Sequence, residues 1–315
     1  MENYLPGITV IVPTFKRIGD LNNCLAAIDR QTLAPTEVLI CYRPEDSETV
    51  AYLAQTDRPA AGARLILCEQ PGQVYALTRA IDEAKTDYIA ITDDDSIPRE
   101  DWLERIVAHF EADPLVAGVG GRDQVFQNGK SLDGAEPLVG IVLWYGRTIG
   151  NHHIGVGPPR SVHTLKGANM SYRKSVLGDL RPDTRLRGKG AQVGNDMKLA
   201  LSLAAQGHKL IYDPAVHVDH MEGARPVEEH RHQFNETSHK DAIFNRTLTL
   251  LEYLKTQRLG RIRQLAYLSY LTIRGTRLAP GILMLGVCLA TRYPHTWKRF
   301  KATWAAMYEG VKAAR

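Results

Sequence analysis

Tyr88-Ile89-Ala90-Ile91-Thr92-Asp93-Asp94-Asp95 is an apolar, β-branched run that ends in three carboxylates. Such a run reads as a buried strand, so the aspartates fall at its C-terminal end, and a turn is expected at Ser96-Ile97-Pro98. In open α/β sheets that edge is where ligands bind. Three like charges packed there repel one another unless a cation sits among them, and oxygen donors suit Mg²⁺ or Mn²⁺. A solvated acidic turn is the plainer alternative; the strand in front of it argues for the site.

Working outward, the same pattern repeats. Ile8-Thr9-Val10-Ile11-Val12 is a short strand stopped by Pro13, and Leu21, Leu25 and Ile28 follow at helical spacing. Glu37-Val38-Leu39-Ile40-Cys41 is a second strand, with a helical stretch over residues 47–55. Arg64-Leu65-Ile66-Leu67-Cys68 is a third, after which Val74, Leu77, Ile81 and Ala84 share one helical face. Trp102, Ile106 and Phe110 mark the helix beyond the aspartates. Strand–helix alternation of this kind specifies an α/β fold, a mainly parallel sheet with helices on its faces. From residue 118 to 159 glycines multiply and no period stands out, so the stretch reads as irregular, with room for a substrate loop. Regularity returns over residues 163–173, in a helix over 196–206 and in the strand Lys209-Leu210-Ile211-Tyr212.

Beyond about residue 246 the strands stop. Leu248, Leu251 and Leu254, then Ile262, Leu265, Leu268 and Leu271, suggest helices. This divides the chain into a catalytic domain over residues 1–245 and a helical basic extension over residues 246–315. Residues 278–291 carry no charge and are flanked by Arg274, Arg277 and Arg292. A spanning helix needs ~20 apolar residues, so an interfacial or re-entrant segment fits better. Helices packed on the domain or on a second subunit, as in a homodimer, are the alternative.

The 315 residues are 44% hydrophobic and 23% charged, an ordinary globular balance that fits one large or two modest domains. The net charge of +4 is unevenly spread: residues 255–315 hold twelve Lys/Arg against Glu309 alone, or +11, which leaves −7 for the rest. An acidic body with a basic tail suggests that the tail meets an anionic surface. Cys24, Cys41, Cys68 and Cys288 have no metal-ligand spacing and read as buried free thiols of a reducing compartment. No secretion signal is read at the N-terminus. The expected location is cytoplasmic, at the inner face of the cell membrane.

Four motifs coincide in order: Val12-Pro13-Thr14-Phe15-Lys16-Arg17 at the end of the first strand, Pro71-Gly72-Gln73-Val74-Tyr75-Ala76-Leu77-Thr78-Arg79-Ala80 ahead of the aspartates, Gly167-Ala168-Asn169-Met170-Ser171-Tyr172-Arg173, and Gly194-Asn195-Asp196 opening a helix. Together they resemble the family-two glycosyltransferases, and the resemblance covers residues 7–222. It implies a GT-A-type Rossmann-like fold, a nucleoside-diphosphate sugar donor, a divalent metal and inverting transfer to an acceptor hydroxyl. By the same resemblance Pro13, Thr14, Arg17 and Asp46 hold the nucleotide, and Gly72, Arg79, Asp93 and Asp94 approach the donor. Asp95 and His220 ligate the metal, with His217 the rival of His220, and Asp196 is the catalytic base. The family more often has Glu before that aspartate. Asn195, which cannot titrate, leaves Asp196 as the only base of the motif, with Asp219 and Glu222 next in line.

The competing motifs fail on chemistry. An EF-hand starting at Asp93 would put Pro98 where the loop needs glycine. His217, His220, His230, His232 and His239 have no cysteine or ligand spacing for a structural zinc site. Gly118, Gly120 and Gly121 make no dinucleotide fingerprint, because no helix pattern follows. Neither a QxxRW-like segment nor a multi-span region is present, so transfer of one or a few sugars to a glycan or lipid-linked acceptor is expected rather than processive synthesis, in cell-surface glycan or glycolipid assembly. No nucleic-acid partner is expected. The alternatives are a sugar-1-phosphate nucleotidyltransferase, whose glycine-rich first loop Thr14-Phe15-Lys16-Arg17-Ile18-Gly19 lacks, and a non-catalytic nucleotide-sugar-binding protein, which has no need of Asp93, Asp95 and Asp196 together.

Overall fold

The computed structural model describes residues 5–127, 129–221 and 234–315. The first half alternates as β1 (Leu5–Pro13), α1 (Ile18–Asp29), β2 (Glu37–Tyr42), α2 (Ser47–Leu53), β3 (Arg64–Leu67), α3 (Gln73–Glu83), β4 (Thr86–Ile91), β5 (Ser96–Pro98), α4 (Trp102–Ala112) and β6 (Val116–Gln127). Short strands follow: β7 (Lys130–Ser131), β8 (Ile141–Val142), β9 (Thr148–Ile149), β10 (Arg160–Val162) and β11 (Met170–Arg173). The chain then forms α5 (Lys174–Leu177), α6 (Asn195–Ala205), β12 (Lys209–Met221), α7 (Glu236–Thr256), α8 (Gly260–Ser269), α9 (Ile282–Ala290) and α10 (Thr296–Ala313).

The main sheet runs β10-β12-β6-β11-β4-β1-β2-β3, with β5 on β12 and β7 on β6. Strands β1 to β4 pair in parallel, and β12 is parallel to β6. β11 is antiparallel to both β4 and β6. It therefore joins two parallel blocks that point the same way. β1 shows why its run is apolar throughout: Ile8, Val10 and Val12 pack with Leu21, Leu25 and Trp102 on one face, while Ile11 packs with Leu77 and Ile81 on the other. Strands covered on both faces have no solvent side to mark with polar residues.

Two readings of the sequence change here. Residues 96–98 are a short strand paired with residues 218–220, not only a turn. The glycine-rich stretch opens with β6, twelve residues long and mostly buried. Its glycines answer to packing: a Cβ on Gly121 would lie 1.7 Å from the Val216 carbonyl oxygen, and one on Gly118 or Gly120 would press on Leu210 or Leu165. Helix α7 begins at Glu236, so residue 245 falls inside it.

The last helices share a core with the domain. Phe244 and Leu248 of α7 pack with Val74, Leu186 and Ala306. Leu250, Leu251 and Leu254 pack with Leu201, Tyr267 and Met307, and Trp304 is drawn into the same cluster. α9 is different. Of its nine residues only Cys288 is buried, and Ile282 and Leu283, with Leu278 in the segment before the helix, are 58, 63 and 60% exposed. Among the described residues no helix is long and apolar enough to cross a membrane. All four cysteines are free and buried.

Candidate active site

The topology gathers one edge. β1, β4, β6 and β12 end there, α3 and α6 begin there because each leads back to a parallel strand, and antiparallel β11 is entered from there. Motifs far apart in sequence thus converge at the carboxyl edge that such sheets use for ligands.

Beyond β4, Asp94 is fully buried and Asp95 nearly so. Arg17, on the loop after β1, forms ion pairs with both, at 2.5 Å from Nη1 to Asp95 Oδ2. Burial pushes the Asp94 carboxyl up to about 7, against the opposing pull of Arg17 and with a further push from Asp95. Burial disfavours the Arg17 charge too, but Asp94, Asp95 and Asp93 outweigh it and hold the guanidinium protonated.

Donor atoms of Asp93, Asp95 and His220 lie within 4.8 Å of one another. His220 Nε2 is 3.3 Å from Asp95 Oδ1, and its Nδ1 is 3.7 Å from Asp123 Oδ2. Burial alone would lower the His220 pKa; Asp123 and Asp95 reverse this and push it up to about 9. Two carboxylates and an imidazole are a donor set that suits Mn²⁺ or Mg²⁺, and a cation at Nε2 requires the proton there to leave. His217 goes elsewhere, with Nε2 3.1 Å from Asp219. The two histidines are three positions apart on β12 and point to opposite faces. His230, His232 and Glu222 lie outside the described residues.

Asp196 occupies the first turn of α6, whose N-cap is Gly194 in a left-handed conformation. Its Oδ2 accepts from the Gly167 N–H at 3.1 Å and its Oδ1 from the Met197 N–H at 2.7 Å. A polar chain links this turn to the aspartates: Asn195 Nδ2 donates to Gln73 Oε1, and Gln73 Nε2 donates to Asp93 Oδ1, both at 3.2 Å. Gly72 caps α3 with φ +111, and a Cβ there would meet Gln192 Oε1 at 2.5 Å. That oxygen accepts from the Val74 N–H at 3.0 Å, so glycine is what lets the two loops touch.

The remaining expected residues are placed less directly. Pro13 ends β1, and the Thr14 N–H donates to Cys41 O at 2.9 Å. Asp46 is 2% exposed; it caps α2 by accepting from the Thr49 N–H and holds the first loop through the Lys16 N–H at 2.5 Å. Arg79 forms an exposed pair with Glu83, 3.9 Å away.

Asp123 and Lys166 escaped the sequence reading. Asp123, in the middle of β6 and wholly buried, lies between His220 and Lys166, whose ammonium contacts its Oδ2. Burial would raise the Asp123 pKa, but His220 and Lys166 more than offset this and hold it below the usual carboxylate range. The available signal was an acid set inside a strand-forming run, Gly118-Val119-Gly120-Gly121-Arg122-Asp123-Gln124-Val125-Phe126.

The sequence profile of Glycosyltransferase like family 2 matches residues 6–238. Glucosyl-dolichyl phosphate glucuronosyltransferase of Haloferax volcanii is 23% identical over 224 residues, 68% of each chain. Poly-beta-1,6-N-acetyl-D-glucosamine synthase of Staphylococcus aureus is 21% identical over 211 residues, which are 67% of this chain but only 48% of the synthase. Among solved structures, S. aureus TarS 1-349 in complex with UDP-GlcNAc has a TM-score of 0.65 at 12% identity and covers 98% of this chain and 82% of that one. GalNAc-T7 with UDP, GalNAc and Mn²⁺ has a TM-score of 0.57 at 14% identity, covering 93% and 59%. At such identities the structural likeness carries the GT-A-like fold alone. The profile spans most of the chain and carries more: this protein belongs to glycosyltransferase family 2 and is a glycosyltransferase.

Proposed function

We propose that this enzyme transfers a sugar from a nucleoside-diphosphate sugar to an acceptor hydroxyl, with inversion at the anomeric carbon, and that it requires Mg²⁺ or Mn²⁺. One observation carries the reading: the Asp93–Asp95–His220 cluster is tied through Gln73 and Asn195 to the turn that holds Asp196. Metal site and base candidate are thereby fixed relative to each other.

Pro13, Thr14 and Arg17 would cradle the nucleotide on the loop that Asp46 anchors, and Gly72 would admit the diphosphate close to bare backbone. Arg79, on the same helix as Gln73, would approach the diphosphate. When bound, the cation neutralises charge that develops on the departing nucleoside diphosphate. Asp196 takes the acceptor hydroxyl's proton as that oxygen attacks the anomeric carbon in line. Its two backbone donors fix the carboxylate's orientation, and Asn195 offers no competing base.

A family glycosyltransferase leaves no observation in favour of a nucleotidyltransferase or a non-catalytic binder. The Haloferax relative is named for a dolichyl phosphate substrate and the staphylococcal one for a polysaccharide. Both support cell-surface glycan or glycolipid synthesis by residues 1–245, with a glycan or lipid-linked acceptor. The extension over residues 246–315 would then make peripheral contact with the inner membrane face; the exposed apolar residues of α9 beside Arg274, Arg277 and Arg292 support this.

A panel of nucleotide sugars assayed with Mn²⁺ for nucleotide release tests the activity. Asp196→Asn should bind the accepted donor normally while turnover falls about 10²–10⁴-fold, the usual cost of losing a general base. Near-normal turnover would move the base elsewhere.

A further inference from the structure

We propose that Asp123 is a positioning residue that fixes the His220 imidazole so that Nε2, not Nδ1, faces Asp93 and Asp95. The inference rests on the metal reading above and adds to it a residue that touches neither metal nor substrate.

The sheet register brings the two side chains together. His220 of β12 lies opposite Val125 of β6, and Val218 lies opposite Asp123. Asp123 and His220 are thus diagonal neighbours on one face, within reach of each other's side chains. Both are nearly inaccessible, at 0 and 4% exposure. Strand parity decides which face the His220 side chain takes, but it does not decide which ring nitrogen points at the aspartates. A ring flipped about Cβ–Cγ would set Cδ2 against Asp123 and Cε1 against Asp95, and so withdraw Nε2 from the cluster. The observed ring has Nδ1 toward Asp123 at 3.7 Å and Nε2 toward Asp95 at 3.3 Å.

Among the described residues neither ring nitrogen has a fully formed hydrogen bond, so these two carboxylates are what the ring faces. A carboxylate behind the distal nitrogen of a metal-binding histidine fixes its orientation and raises its strength as a ligand. A wholly buried carboxylate also needs a counter-charge of its own. Lys166 supplies it from the loop before β11, one residue ahead of the Gly167 N–H that Asp196 accepts from. Asp123 therefore has one cation to keep it ionised and one ring to orient.

Mn²⁺ binding in the presence of UDP, read from the electron paramagnetic resonance signal of free Mn²⁺, tests this by a double-mutant cycle. Asp123→Ala should weaken Mn²⁺ binding about 10–100-fold, the usual cost of losing such a partner. Asp123→Asn, which keeps an acceptor oxygen, should recover much of the loss. In a His220→Ala background, Asp123→Ala should add no further loss, because the residue acts through that ring. An unchanged affinity, or the same factor in both backgrounds, overturns the proposal. If Asp123→Ala does not fold, Asp123→Leu combined with Lys166→Met leaves neither an unpaired charge nor an acceptor oxygen, and wild-type affinity in that protein overturns it equally. A wild-type enzyme that binds no Mn²⁺ with UDP would instead sink the metal reading, and this proposal with it.

Discussion

Replacing Arg17 by methionine should destabilise the enzyme by an amount that grows with pH. Arg17 is the cation between Asp94, which is wholly buried, and Asp95. Removing one partner of a buried ion pair costs about 3–5 kcal/mol when the other must stay charged. Asp94 has an escape, because burial has already pushed it up to about 7. A carboxyl whose folded pKa is raised contributes stability that is complete below its unfolded value and is lost as pH rises through the folded one. Without Arg17 the Asp94 pKa rises further, so its protonated form persists at pH 5 with little added cost. At pH 8 the variant must either bury an unpaired carboxylate or hold a proton there, at about 1.4 kcal/mol for each unit between pH and pKa. Urea denaturation of Arg17→Met and wild type at pH 5 and pH 8 reads the difference. The loss from this source should be small at pH 5 and approach about 1.4 kcal/mol at pH 8, one unit above the Asp94 value, because the variant can keep the proton rather than bury the bare charge. Equal losses at both values would refute the reasoning, and no loss at either, with donor binding abolished, would make Arg17 a ligand residue alone.

If Asp95 helps hold the cation that meets the diphosphate, EDTA should abolish activity and weaken nucleotide binding. Asp95→Ala should do the same in calorimetry while the fold persists by circular dichroism; undiminished nucleotide affinity in EDTA would count against it. The enzyme should co-sediment with anionic liposomes, less so at high salt, since each basic residue near such a surface contributes ~1 kcal/mol. Leu278→Glu with Leu283→Glu should release it, and a salt-resistant dimer that ignores vesicles would favour a subunit interface instead.

β1 and β4 were legible because both faces of each are buried, leaving the runs Ile8–Val12 and Tyr88–Thr92 with almost no polar residue. The aspartates followed, since a buried strand can end in three carboxylates only at an edge. β6 was not legible. Its glycines read as loop in sequence, yet they are demanded by contacts with Leu165, Leu210 and Val216, which come from distant segments. Asp123 was hidden for the same reason, because only the pairing of β6 with β12 gives an acid in mid-strand its partners. The choice of His220 over His217 depended on a register shift in β12 between Asp213 and His217. Composition carries no trace of such a bulge. The packing of the tail was not legible either: Trp304 packs inward on α7, whereas the exposed apolar surface belongs to α9.

The central claim is inverting transfer driven by a single carboxylate, Asp196. The most direct test is proton NMR of the first-formed product from whichever nucleotide sugar the enzyme accepts, read before the anomers of any released sugar equilibrate. An α-linked donor should give a product of β configuration, and Asp196→Asn should give none on the same timescale. Product that keeps the donor's configuration, or that forms as fast without Asp196, would contradict the account.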